Sequence, residues 1–125
     1  MAGLQRMIKV LMLTFGPNID LNWIDVSHMS NLSYLFVNSQ FNGDISQWDV
    51  SNVTAFECMF YRSSFNGDIS NWDMSSATNI ACMFERSEFD GNINSWNIHD
   101  DIDMEGIFNN CPLAYHPPIW YKFKP

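Results

Sequence analysis

The stretch FNGDISQWDVSNVTAFECMFYRSS, residues 41–64, decides how the chain is read, because sliding it by 24 residues reproduces it. One slide forward gives FNGDISNWDMSSATNIACMFERSE (65–88), and a second gives FDGNINSWNIHDDIDMEGIFNNCP (89–112). One slide back, PNIDLNWIDVSHMSNLSYLFVNSQ (17–40) fits more loosely, and LAYHPPIWYKFKP (113–125) keeps little beyond its tryptophan. A fixed period of about 20–50 residues marks a repeat array in which each unit buries its apolar face only against its neighbours.

Reading by column separates core from surface. Phe41, Phe65, Phe89 and Leu113 form one apolar column, and Leu21, Ile45, Ile69 and Ile93 form another. Trp48, Trp72, Trp96 and Trp120 make a third, and Val26, Val50, Met74 and Ile98 a fourth. The pair Met59-Phe60 recurs as Leu35-Phe36, Met83-Phe84 and Ile107-Phe108. Asn42-Gly43 and Asn66-Gly67 read as turns. The segment Asp44-Ile45-Ser46 alternates polar and apolar, as a half-buried strand does. Val53, Phe56, Met59 and Phe60 follow at spacings of three and four, which predicts a short helix or 3₁₀ turn capped by Asp49 or Ser51.

The fold class expected from this pattern is α/β: a leucine-rich-repeat-like, right-handed solenoid with short parallel strands about 4.8 Å apart, short helical turns and an N-terminal helical cap. Residues 1–125 form a single domain in this reading, with a capping helix over 1–16, four 24-residue repeats over 17–112, and a partial repeat and C-cap over 113–125. Leu4, Met7, Ile8, Leu11 and Phe15 fall on one helical face, and Gly16-Pro17 ends the helix.

The FNGDISxWDVSNVT motif with its Met-Phe pair resembles the repeats of BspA-like bacterial surface proteins, and closely similar repeats occur in mycoplasma lipoprotein-associated domains. The resemblance covers residues 17 to about 120 and implies a leucine-rich-repeat-type solenoid that serves adhesion or protein recognition, without a general catalytic activity. Family members are commonly large and exported. This chain is short and is similar in length to relatives found in phages and prophages.

Charge narrows the function classes. The formal net charge is −8, and between residues 17 and 112 fourteen acidic residues face only Arg62 and Arg86, a formal −12. Such a field repels nucleic-acid phosphates and attracts basic surfaces. The apolar run over residues 10–13 is too short for a signal sequence, and no stretch reaches membrane-spanning length. A cytoplasmic location without membrane association is therefore expected, or the cell surface if a larger precursor exists. Cys58, Cys82 and Cys111 give no CxxC spacing, and the first two share one repeat position, where they read as small fillers.

Two columns of carboxylates stand out, Asp20, Asp44 and Asp68 in one and Asp25, Asp49 and Asp73 in the other, with Asn92 and Asn97 continuing them. The Asp49 column reads as turn caps, since Asn can replace Asp there without its charge. The Asp44 column flanks the inward Ile45, so Asp20, Asp44, Ser46, Asp68 and Ser70 are expected on the concave, sheet-side face used for binding. Tyr61, Arg62 and Arg86 are added as helix-side contacts, because Tyr and Arg are enriched in binding hot spots. The chain has neither calcium-loop nor phosphate-loop spacing, and His28, His99 and His116 fall in unrelated repeat positions. No enzyme activity, cofactor or metal is expected.

The function read from the sequence is a non-catalytic protein–protein recognition module whose acidic concave face binds a protein with a basic surface, the module itself being a monomer or weak homodimer. The alternative is an acidic intracellular inhibitor or nucleic-acid mimic, such as a phage anti-defence protein, that occupies a basic groove.

Overall fold

The computed structural model describes residues 2–121, and its first element is α1, Ala2–Phe15. Gly16, at φ 90°, ends it, and its N–H returns to the Met12 carbonyl at 2.8 Å. A left-handed residue just past the last turn is the usual helix stop. Ile8 is buried, while Leu4, Leu11 and Met12 pack partly against the core. Met7 and Phe15, expected on the inner face, are 41% and 68% exposed. The helix is therefore rotated toward Leu4, Ile8 and Met12, and turns Val10 and Leu13 outward.

Beyond α1 the regular structure is one 3₁₀ turn, Pro112–Ala114, and no sheet forms among the described residues. Six residues make isolated parallel bridges: Asp20 with Asp44, and the series Asn31, Ala55, Asn79 and Asp103. This overturns the expected α/β solenoid with parallel strands and a helical turn per repeat. The chain runs instead as irregular 24-residue tiers joined edge to edge by hydrogen bonds at a constant offset.

The reason lies in where the backbone donors go. In tier 1 (17–40), the N–H groups of Leu32, Tyr34, Phe36 and Asn38 donate forward to the carbonyls of Ala55, Glu57, Met59 and Tyr61 in tier 2 (41–64), at 2.8–3.0 Å. The alternate donors, Leu35, Val37 and Ser39, reach back three residues within their own tier. An α-helix would need every donor to reach back four residues, and an extended strand would make no internal bonds. Splitting the donors gives a chain of turns that satisfies both sets. The same division recurs from Phe56 to Ser63 and from Ile80 to Ser87.

This path needs two left-handed residues per tier. Tyr34, Cys58, Cys82 and Gly106 occupy one such column at φ 64°, 52°, 56° and 71°. Asn38, Arg62, Arg86 and Asn110 occupy the second at φ 54–58°. Left-handed backbone costs a residue with a side chain about 1–2 kcal/mol, less for Asn. The apolar spacing of three and four that suggested a helix thus arises from turns, which also return a side chain inward every few residues.

Aromatic columns fill the interior. The rings of Phe36, Phe60, Phe84 and Phe108 stack at 5.5–6.1 Å, nearly parallel, and Phe41, Phe65 and Phe89 stack at 6.0 and 6.2 Å. The Nε1–H of Trp48, Trp72, Trp96 and Trp120 donates to the carbonyl of Leu21, Ile45, Ile69 and Ile93 in the tier before, at 2.8–3.1 Å. Each tryptophan therefore fills the core and links two tiers. The Asn-Gly pairs are not left-handed turns. Asn42 and Asn66 accept the N–H of Asn66 and Asp90 through Oδ1, both at 2.8 Å. Gly43 is required by space, since a Cβ there would lie 1.8 Å from the Ile19 carbonyl oxygen. Trp120 stacks on Trp96 at 6.1 Å, so part of the 113–125 segment covers tier 4 (89–112). Residues 122–125 of that segment lie outside the described residues.

Candidate functional site

Both aspartate columns are built the same way. Asp25, Asp49 and Asp73 each accept, through Oδ1, the N–H of the serine two residues on, at 2.9–3.0 Å. Asp20, Asp44 and Asp68 do the same with the N–H of Asn22, Ser46 and Ser70, at 2.8–2.9 Å. Such Asx turns are the ordinary local use of a short carboxylate. The separation made from sequence, with the Asp49 column capping and the Asp44 column free on a concave sheet face, therefore fails. Without a sheet there is no sheet-side face, and one oxygen of every aspartate is committed to its own turn.

All six residues are exposed, and no Lys or Arg lies within 4.0 Å of any of them among the described residues. In Asp25, Asp44, Asp49, Asp68 and Asp73 the hydrogen bonds favour the charged form. The Ser27, Ser51, Ser70 and Ser75 hydroxyls, with the backbone N–H beside each, hold Asp25, Asp49, Asp68 and Asp73 below the ordinary carboxylate value. The Ser46 N–H does so for Asp44, helped by the Asn22 side chain. The result is two fixed ladders of negative charge, one carboxylate of each per tier.

Ser46 and Ser70 are half-buried, and the Ser70 hydroxyl is occupied by Asp68 Oδ1 at 2.7 Å. Both serve the turns first. Arg62 and Arg86 are exposed and stand in the left-handed column, with the Arg62 guanidinium 5.7 Å from the Tyr61 ring centre. Neither pairs with Glu85 or Glu88 among the described residues. Tyr61 is half-buried. No hydrogen bond or ion pair joins Tyr61, Arg62 or Arg86 to the aspartate columns among the described residues, so the eight residues singled out from the sequence fall into two separate groups.

Two polar arrangements were missed by column reading, because they cross tiers diagonally. The Tyr34 hydroxyl donates to Glu57 Oε1 at 2.7 Å, and Asn79 Nδ2 donates to Glu57 Oε2 at 3.2 Å. The bond to Glu57 pushes the Tyr34 hydroxyl well above the usual tyrosine range. His116 Nε2 lies 2.6 Å from Asp90 Oδ1, on the rim of a cavity of about 160 Å³ lined also by Asn92, Ile93 and Asn94. The residues of that pair are 60% and 46% exposed, and no serine or cysteine lines the cavity. The cysteines are free, and burial raises all three thiols, that of Cys82 to about 12. A thiol held protonated is a poor nucleophile. Among the described residues, no three His, Cys, Asp or Glu side chains are grouped as metal ligands would be, and no helix is long and apolar enough to cross a membrane.

The chain belongs to the family described as Mycoplasma protein of unknown function, DUF285, whose model matches residues 4–118. No curated protein and no solved structure matches it.

Proposed function

We propose that this member of the Mycoplasma family is a non-catalytic protein-recognition module that binds a basic protein surface through its aspartate ladders. The observation that carries the reading is the pair of ladders. Six exposed carboxylates are held in fixed geometry by their own turns, with no cation of the protein within pairing distance among the described residues. Charges set at regular intervals on a rigid scaffold attract a basic partner and fix its register at little cost in ordering. The motif's likeness to BspA-like surface repeats supports the same reading. The narrower alternative is an acidic inhibitor that mimics a phosphate backbone in a basic groove, and the same ladders would serve it.

Capture from lysate of the native cell, with wild type and with Asp20, Asp44 and Asp68 all changed to Asn, tests the proposal. Asn keeps the Asx turn and removes only the charge. The wild type should retain a basic partner that the triple variant loses. Equal recovery of the same partner by both would remove the ladders from the site. Salt separates the two versions, since a phosphate mimic in a basic groove should lose its partner steeply between low and moderate ionic strength.

A further inference from the structure

Tier 3 (65–88) and tier 4 together line a groove of about 630 Å³, through Asn66, Asp68, Ser70, Asn92, Asn94 and Ser95, with Asp90 beside them. The lining holds no apolar side chain and no Lys or Arg. Gly67 and Gly91 complete the wall, where a Cβ would lie 2.7 Å from the ring of Phe65 or Phe89. Sites for most small organic ligands are mainly apolar. An all-polar groove points to a ligand that is itself polar over its surface.

The polar groups are held before anything meets them. Oδ1 of Asn66, Asn92 and Asn94 accepts the N–H of Asp90, Asn94 and Ile119 at 2.8–3.0 Å. Each amide is fixed through its oxygen, and its Nδ2 donates to nothing among the described residues. Asp68 is fixed through Oδ1 by Ser70, at 2.9 and 2.7 Å, and a carboxylate accepts at both oxygens. The Ser95 hydroxyl donates to the Ser70 carbonyl at 2.9 Å and keeps its acceptor capacity. Fixed donors and fixed acceptors thus stand together in one groove. A hydroxyl both donates and accepts, so a ring carrying several hydroxyls meets both kinds, with little ordering of the protein to cost. An anion would face Asp68 and Asp90, and a cation would face three amide donors.

The same face carries an aromatic platform. Ser95 is preceded in its column by Asn71, Gln47 and Trp23, all exposed. Bonds across the junctions keep neighbouring columns in register, as from Gln47 N–H to Asn22 Oδ1 at 2.8 Å. Trp48, Trp72 and Trp96 are buried and Trp120 is half-buried, whereas Trp23 is 64% exposed. Every residue of its column is exposed, so the outward position belongs to the column. The Nε1–H of Trp23 donates to the Asp20 carbonyl at 2.9 Å, which holds the ring in one pose. An indole face is apolar. A sugar ring offers an apolar C–H face to stack on it and a rim of hydroxyls for the polar groups.

We propose that this face binds a neutral, extended oligosaccharide laid along the stack, with one end in the groove of tiers 3 and 4 and one sugar ring on Trp23. Asn66, Asn92 and Asn94 donate to its hydroxyl oxygens, Asp68 accepts from its hydroxyls, and Gln47 and Asn71 meet the rings between. The site stands apart from the basic-partner reading, since a neutral ligand gains nothing from net charge and the Asp49 column takes no part.

Titration of the whole chain with cellohexaose and chitohexaose, followed by tryptophan emission and by calorimetry, tests it. At least one hexaose should bind and shift the emission to the blue as the Trp23 indole is covered, with the same affinity at low and moderate salt. Trp23→Ala should weaken binding by about tenfold or more and remove the emission shift. Asn92→Asp keeps the Asx turn, as Asp68 does in the same column, and removes the amide donor; it should weaken binding roughly three- to tenfold. Asp49→Asn combined with Asp73→Asn should leave binding unchanged, and thermal melts check that each variant is folded. The proposal is overturned if neither hexaose binds, if Trp23→Ala or Asn92→Asp binds as tightly as wild type, or if hexalysine displaces the bound hexaose and so claims the groove for a basic partner.

Discussion

Replacing Trp72 by alanine and by phenylalanine measures separately the two roles assigned to the tryptophan column. Trp72 is 3% exposed, lies 6.1 and 6.4 Å from the Phe56 and Phe60 rings, and donates across the tier junction to the Ile45 carbonyl at 3.1 Å. Burying an aromatic removes about 150–250 Å² from water, worth about 4–6 kcal/mol at 25 cal/mol per Å². Truncation to alanine in a packed core typically costs about 3–5 kcal/mol, of which the lost hydrogen bond accounts for about 1 kcal/mol. At roughly 3–5 °C per kcal/mol for a chain of this size, Trp72→Ala should lower the melting temperature by about 10–25 °C. Trp72→Phe keeps most of the packing and loses the donor, so it should cost about 1–2 kcal/mol. Trp120→Ala, at a half-buried position, should cost about half as much as Trp72→Ala. Thermal and urea melts of the three variants supply the comparison. If Trp120→Ala costs as much as Trp72→Ala, position within the stack does not govern stability. If Trp72→Phe costs as much as Trp72→Ala, packing is not the main term.

Two further outcomes follow from the turns. Asp25, Asp44, Asp49, Asp68 and Asp73 all titrate below their ordinary value of 3.8 in the folded chain. Their stabilisation is therefore present above the unfolded value and is lost as pH falls through the lower folded values. Melts from pH 7 down to about 2 should show stability falling from roughly pH 4 downward, and Asp49→Asn combined with Asp73→Asn should make that fall shallower; an unchanged slope would show that these bonds do not select the charged form. Gly43→Ala places a Cβ against backbone, 1.8 Å from the Ile19 oxygen, and should cost about 2–3 kcal/mol. Gly3→Ala meets nothing within 4 Å and should be neutral or slightly stabilising; equal melting of the two variants would contradict the close approach of tiers 1 and 2.

The aspartates show how much of the candidate site was legible. Their spacing placed them in two columns, and Asx capping was read correctly for Asp49. It was missed for Asp44, because alternation around Ile45 looked like a strand that would free its polar neighbours. Only the bond from Ser46 N–H to Asp44 Oδ1 reveals that both columns use one local device. Arg62 and Arg86 were read as surface contacts, and their left-handed backbone could have been suspected from Asn38 and Asn110 in the same column.

What the sequence by itself determined is the inventory of the interior. Phe41, Ile45, Trp48 and Val50, with their 24-residue copies at Phe65, Ile69, Trp72 and Met74, are all buried, because a repeated apolar residue is driven inward whatever path the backbone takes. What only the tertiary structure decided is that path. Each tier could satisfy its backbone as helix, strand or turns, and periodicity of three and four is shared by helices and by successive turns. The neighbouring tier settles the matter by accepting every second N–H at about 2.9 Å, a contact that lies 23 residues away along the chain and has no trace in any local window.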